Sequence, residues 1–221
     1  MTKERLLLIS INQVQNSFEI EMMLLGTSEA QSVSLEESQF LVHGLYLESL
    51  LDLEQLQAEN FVREYQARLL QVRSGELSYR EILTASYLYE LHCSCFGQVF
   101  SWAGVVRTRP PGFVGVAPEQ IRNSVLELMG TLRCQIEEVR TTSSTEIAMR
   151  AHHELVKIHP FVDGNGRTTR LFSDLLLASL SEPARVFNWR DTPEHIQLLR
   201  ACDTSLDYSA LVAHVGTRAI F

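Results

Sequence analysis

The chain's glycines and prolines are unevenly placed, and that placement limits what it can fold into. Of 11 glycines and 6 prolines, seven fall in one stretch: Gly97, Gly104, Pro110, Pro111, Gly112, Gly115 and Pro118. These residues are the main interrupters of regular structure, so the segments on either side are free to run as helices. Apolar residues there recur at three and four, as in Ile82, Ala85, Tyr89 and in Ile147, Ala151, Leu155, Ile158. Helix starts are marked by the capping-box pairs Ser34 with Glu37, Ser78 with Glu81, and Ser143 with Glu146, and by Thr192 followed by Pro193. Gly75 reads as a helix stop. The spacing predicts helices over roughly 3–25, 34–51, 53–73, 78–95, 118–140, 143–158, 164–180 and 192–202, with a short one near 207–215. Within the interrupted stretch, Val105, Val106, Phe113, Val114 and Val116 can form short strands, with Pro110 and Pro111 at a turn or an edge. The expected class is mainly α with one short β-hairpin.

Composition narrows the function classes. With 221 residues, 45% hydrophobic and 21% charged, the chain is an ordinary globular protein of about one large domain. Apolar runs such as Leu6 to Ile9 and Leu175 to Ala178 fall far short of the ~20 residues a bilayer span needs. Lys3, Glu4 and Arg5 precede too few apolar residues for a secretory leader. A net charge of −8 lacks the basic field that nucleic-acid binding draws on, though a local pocket can still be basic. Cys93, Cys95, Cys134 and Cys202 form no CxxC pair and read as reduced thiols. These features point to a cytoplasmic protein with no nucleic-acid and no membrane partner.

Chemistry-bearing residues are densest in His159-Pro160-Phe161-Val162-Asp163-Gly164-Asn165-Gly166-Arg167-Thr168-Thr169-Arg170. Pro160 ends a helix and leaves His159 at its C-terminus beside a loop. Gly164, Asn165 and Gly166 make a turn ahead of the helical run Leu171, Phe172, Leu175, Leu176. Backbone N–H groups at such a turn hold anions. Arg167 and Arg170, three apart near the positive helix end, add forked donors for phosphate oxygens. Asp163 supplies a hard oxygen of the kind that holds a phosphate-borne magnesium ion. An imidazole of ordinary pKa ~6.5 suits proton abstraction near neutrality. Together they read as a polyphosphate cradle with a base beside it. Other readings are weaker. His153-Glu154 lacks the second histidine of HExxH, since residue 157 is Lys157. His152, His159 and Asp163 as a metal site is a minor alternative, and there is no GxxxxGK[ST] loop. His43, His92 and His214 carry no pattern.

The run HPFVDGNGR, completed by Arg170, resembles the signature of Fic (filamentation-induced-by-cAMP) domains, H-P-F-x-(D/E)-G-N-G-R-x-x-R. The resemblance implies a Fic-type helical bundle with a β-hairpin flap, and transfer of AMP from Mg-ATP to a hydroxyl side chain of a target protein. It casts His159 as the general base and Asp163 as the magnesium ligand. Gly164, Asn165, Gly166, Arg167 and Arg170 become the nucleotide-binding residues. Trp102-Ala103-Gly104 followed by Arg107 resembles the approach to the flap, whose Arg107, Phe113 and Val114 would meet the target by main-chain pairing. Asp207-Tyr208-Ser209-Ala210-Leu211 resembles the last core helix, and His195 and Asp203 fall where family members contact adenosine. The implied layout is a single Fic domain over 1–221 with a core at 78–215. N-terminal helices would occupy 1–52.

A second resemblance lies in Asn16-Ser17-Phe18-Glu19-Ile20-Glu21-Met22, which is similar to the inhibitory-helix pattern (S/T)-x-x-x-E-(G/N) except that Met22 replaces Gly or Asn. It implies an inhibitory helix around 12–25, in which Ser17 and Glu21 share a face and Glu21 pairs with Arg170 in place of the γ-phosphate. The target would present an accessible Ser, Thr or Tyr. Self-modification, and action as a monomer or homodimer, stay open. So do removal of AMP by water, another phosphoryl-type transfer, and a non-catalytic ATP sensor.

Overall fold

The computed structural model describes residues 41–42, 45, 50–109, 115–139, 141–190 and 192–220. The helices expected over 3–25 and most of 34–51, with Ser17, Glu21 and the Ser34 cap, lie outside the described residues. So does the tip of the interrupted stretch, 110–114, including Phe113 and Val114.

Helix α1 (Leu50–Ser74) buries Leu53, Gln57, Asn60, Phe61, Tyr65 and Leu69, a single stripe at helical spacing. The segment expected as one helix over 78–95 is two. Helix α2 (Tyr79–Ile82) starts from the Ser78–Glu81 capping box and ends after one turn. Helix α3 (Ala85–Phe96) restarts from Thr84, whose hydroxyl accepts the Tyr87 N–H at 3.2 Å. The break arises because a threonine oxygen outcompetes continuation of the helix for that N–H, while Ile82 and Leu83 at the corner are buried. A 3-10 turn (Pro118–Gln120) leads into α4 (Ile121–Cys134), which runs out through a π turn (Gln135–Val139). Helix α5 (Ser144–Ile158) has the expected Ser143–Glu146 capping box. Helix α6 (Asn165–Leu180) follows the motif loop. Helix α7 (Pro193–Ser205) is capped by Thr192, and α8 (Ser209–Val215) closes the helical part.

Helix α6 is the centre of the molecule. It packs along α5 and also against α1, α2 and α3. Leu171, Phe172, Leu175, Leu176 and Leu177 are fully buried, and so are the neighbouring Thr168, Thr169 and Ser173. A helix buried nearly all round cannot drift, so its N-terminus is a firm platform. Removing the Phe172 ring would cost about 3–5 kcal/mol and loosen that platform.

The mainly α class with one small antiparallel sheet holds; of the residues expected in strands, Val105, Val106 and Val116 are in none, and Phe113 and Val114 lie outside the described residues. Between residues 101 and 118 the described residues contain no strand. Instead β1 (Arg185–Phe187) pairs antiparallel with β2 (Thr217–Ala219), in the register Arg185 with Ala219 and Phe187 with Thr217. Strands of three residues carry too little alternation to be seen in sequence. The pair exists because β1 lies on α6 and offers β2 an edge.

Candidate active site

His159 caps α5 in a left-handed conformation, φ 52° and ψ 64°, with its N–H donating to the Leu155 carbonyl at 3.0 Å. The following Pro160 disfavours another right-handed residue here, so the chain turns sharply and exposes part of the imidazole. Burial lowers the imidazole's pKa below its ordinary value, and the nearby Arg107 guanidinium lowers it further. A hydrogen bond with the Val156 main chain and the Asp163 charge oppose them without reversing the sign. The net effect is a neutral imidazole at pH 7, the state a base needs.

The loop after His159 is held by neutral side chains clasping its main chain. The Asn165 amide closes a ring on Phe161: Oδ1 accepts the Phe161 N–H and Nδ2 donates to the Phe161 carbonyl, both at 2.9 Å. Below the loop, the His92 ring stacks on Phe161 with centroids 3.7 Å apart. The Gly104 N–H donates to His92 Nδ1 at 2.8 Å, so the ring proton sits on Nε2, which donates to the Asp163 carbonyl at 3.0 Å. Burial pushes the His92 pKa down to about 4, keeping this bridge neutral. Gly164 then takes φ 73°, and a Cβ there would lie 2.7 Å from the Phe96 ring. Only glycine lets the loop sit this close to α3.

Helix α6 therefore begins with Gly164 as its cap and no side-chain oxygen over its end. The first-turn N–H groups of Asn165, Gly166 and Arg167 are left for an anion. Asn165 contributes through its backbone, since its side chain is committed to Phe161. Arg167 is clamped: its guanidinium lies 4.6 Å over the Phe96 ring, Nη1 donates to Gln57 Oε1 at 3.0 Å, and Nη2 stands 3.6 Å from the Asp163 carboxylate. Arg170 rests 5.7 Å over the Trp189 ring. One turn into α6, the Thr169 hydroxyl donates to the Gly166 carbonyl at 3.1 Å and stands 3.1 Å from His152 Nδ1. The Asp163 carboxylate is 65% exposed, and no cluster of three His, Cys, Asp or Glu side chains stands ready for a metal among the described residues. One exposed hard oxygen beside an uncapped helix start is the kind of single ligand that suits a magnesium ion brought in by a phosphate group.

The Arg107 side chain turns inward from the segment expected to carry the flap. It is 5% exposed and donates only to main-chain carbonyls, including that of His159. His195 is buried beside Trp189 and His152, and Asp203 lies 3.0 Å from His153 Nε2.

Several contributors had no sequence signal. His92 and Gln57 lie on ordinary amphipathic helices, distant from the motif in the chain. Asp174 is buried just past the middle of α6 and gathers Tyr65 Oη, Trp189 Nε1 and the Phe187 N–H at 2.9–3.0 Å. Burial raises its pKa to about 7 against these three donors. Its spacing of four from Arg170 was the one hint available, and that spacing alone cannot separate a buried anchor from a surface charge.

The model of the Fic/DOC family matches residues 82–177. A Fido domain-containing protein of Dictyostelium discoideum is 32% identical over 101 residues, 46% of this chain and 70% of that protein. The protein adenylyltransferase fic-1 of Caenorhabditis elegans is 34% identical over 113 residues, but the match spans only 21% of its length. Among solved structures, a Fic domain containing signaling protein of Bacteroides thetaiotaomicron superposes with a TM-score of 0.57 at 23% identity, over 69% of this chain and 60% of that one. BepC of Bartonella tribocorum, solved with bound AMPPNP, gives 0.56 at 19% identity, over 82% and 97%. At these identities the structures speak for the fold.

Proposed function

This chain belongs to the Fic/DOC family, and on that premise we propose that it is a protein adenylyltransferase, moving AMP from ATP to a hydroxyl of a target protein. The observation that supports the reading is the αL turn at His159, which leaves a neutral, half-buried imidazole in the same short run of sequence as the uncapped start of α6, Arg167 and Arg170.

The triphosphate would lie on the N–H groups of Asn165, Gly166 and Arg167, with Arg167 and Arg170 neutralising its outer oxygens. Asp163 would hold the magnesium, which supplies further charge neutralisation. The target's Ser, Thr or Tyr oxygen bonds to the α-phosphorus as its proton passes to the His159 ring. The bond to the bridging oxygen of the β-phosphate breaks, and pyrophosphate leaves. Arg167 is already oriented by Phe96, Gln57 and Asp163, so little ordering is left for the moment of binding.

Within the same proposal, the chain forms one Fic domain with its core over 78–215. Ser17 and Glu21 belong to an inhibitory helix whose glutamate competes with the γ-phosphate for Arg170. The flap tip at Phe113 and Val114 pairs with the target's main chain. The sequence pattern and the elementary preference of a guanidinium fork for a carboxylate support the inhibitory role.

The test is incubation of the full chain with ATP labelled on the α-phosphate, alone and with cell lysate, followed by intact mass of the labelled protein. Label and a mass gain of one AMP are expected, raised in Glu21→Gly and absent in His159→Ala. Phosphate instead of AMP, loss of pre-formed AMP without any addition, or ATP binding without turnover in Glu21→Gly would each replace the proposal with another use of the same site.

A further inference from the structure

The Arg107 side chain makes four hydrogen bonds, and every one of their acceptors is a main-chain carbonyl. Nε donates to the His159 carbonyl at 2.6 Å. Nη2 donates to the Val116 carbonyl at 2.5 Å and reaches the Ile158 carbonyl at 3.3 Å, while Nη1 donates to the Arg109 carbonyl at 3.0 Å. Its backbone joins in, with the Arg107 N–H on the Pro160 carbonyl at 3.0 Å. On the opposite arm of the flap, the Val116 N–H donates to the Ile158 carbonyl at 3.3 Å. The main chain of 158–160 is thus held between the two arms of the flap's base, and one buried guanidinium bridges all three segments.

We propose that Arg107 is a positioning residue for the transfer reaction: it locks both arms of the flap's base to the main chain around His159 and so holds that histidine in its left-handed cap. The inference rests on the AMP-transfer reading for its meaning, but its geometry does not. A left-handed histidine before a proline is a strained arrangement that persists only where its surroundings over-determine it. The Arg107 fork supplies that constraint. Its charge also meets the last carbonyls of α5, where a helix end carries partial negative charge. The charged groups that act on the His159 ring are Arg107 from the flap and Asp163 from the loop, with opposite sign. Arg107 therefore works against both the helix end and Asp163, each of which favours the protonated ring. A target strand added to the flap would press on the same elements that hold the base, so docking and proton abstraction would be mechanically joined.

The test uses the full chain with Arg107→Gln, which removes charge and fork, and Arg107→Lys, which keeps charge and loses the fork. The His159 ring is titrated by NMR, its signal assigned by its loss in His159→Ala, and amide exchange is read at Val116. Arg107→Gln is expected to raise the His159 pKa, and Arg107→Lys to leave it near that of the unmodified chain. Both are expected to speed exchange at Val116 and to lower kcat about tenfold or more, with the KM for ATP within about threefold. An unmoved titration in Arg107→Gln, or unchanged Val116 exchange in Arg107→Lys, overturns the proposal. Should Arg107→Gln fail to fold, the Arg107→Lys exchange measurement decides alone. Absence of AMP transfer by the unmodified chain would defeat the functional reading, while the titration and exchange results would still decide what Arg107 does.

Discussion

Among the described residues, two helices end on a left-handed residue that is not glycine, and the two ends could hardly be treated more differently. His159 closes α5 at φ 52°, and Leu206 closes α7 at φ 53°; each donates its N–H to the carbonyl four residues back. Leu206 is 58% exposed, and the short turn after it is held by the Asp207 N–H on Ser205 Oγ and by Ser209 on the Asp207 carboxylate. His159 is half-buried and followed by a loop clasped by Asn165, His92 and Arg107. The same local strain is incidental at one end and surrounded by constraint at the other. Strain of that kind is retained at a functional position because the side chain it presents is needed there.

Deleting each side chain separates the two helix ends most directly. His159→Ala is expected to lower AMP transfer by about 10²–10⁴-fold in kcat, the usual worth of a positioned base, whereas Leu206→Ala leaves kcat unchanged in the same assay. In the unmodified chain kcat/KM should fall as pH drops through a midpoint below 6.5, because burial and Arg107 lower the His159 pKa of the free protein. A midpoint above 6.5 would contradict that sign.

Acid should also loosen the loop. His92 is neutral in the folded state with a pKa of about 4, against about 6.5 when unfolded, so the unfolded chain binds more protons between those values. Stability supplied by His92 is complete above pH 6.5 and is lost as pH falls toward 4, roughly 3 kcal/mol in all. Urea titrations at pH 7 and 4.5 should show this slope, and His92→Gln should flatten it. Asp174 runs the other way. Its pKa of about 7 lies above the unfolded value, so its contribution is greatest below the unfolded carboxylate pKa and declines as pH rises through 7.

Gly164→Ala sharpens the contrast from the loop side. A Cβ at φ 73° and 2.7 Å from the Phe96 ring should cost at least about 2 kcal/mol and reduce ATP affinity, measured by calorimetry. The smallest effect belongs to the other cap. Leu206→Gly relieves left-handed strain without touching the site and should stabilise the fold by about 1 kcal/mol, raising Tm by a few degrees with activity unchanged. If it destabilises instead, Leu206 is held in place by more than the turn that follows it.

Much of this was legible beforehand. The capping boxes at Ser78 and Ser143, the Thr192-Pro193 start and the helix after Gly164 are local matters, set by which side chains can satisfy the first N–H groups of a helix. The motif residues are legible for the same reason: twelve consecutive positions hold the proposed base, the proposed cradle and both arginines. The break at Leu83 and Thr84 was not, because a threonine reads equally well as a helix interior residue until its neighbours are buried. The strands at 185–187 and 217–219 were missed because each is stabilised by its partner and by α6, not by its own pattern.

By itself, then, the sequence determined a helical protein, the order of its helices and the set of groups that would meet a triphosphate. Those properties depend on residues near one another in the chain. Only the tertiary structure decided that His92, Gln57, Arg107 and Asp174 would be the supports of that set. His92 and Arg107 act on backbone carbonyls, which look identical in every sequence, and Gln57 and Asp174 act on side chains that only packing brings within reach.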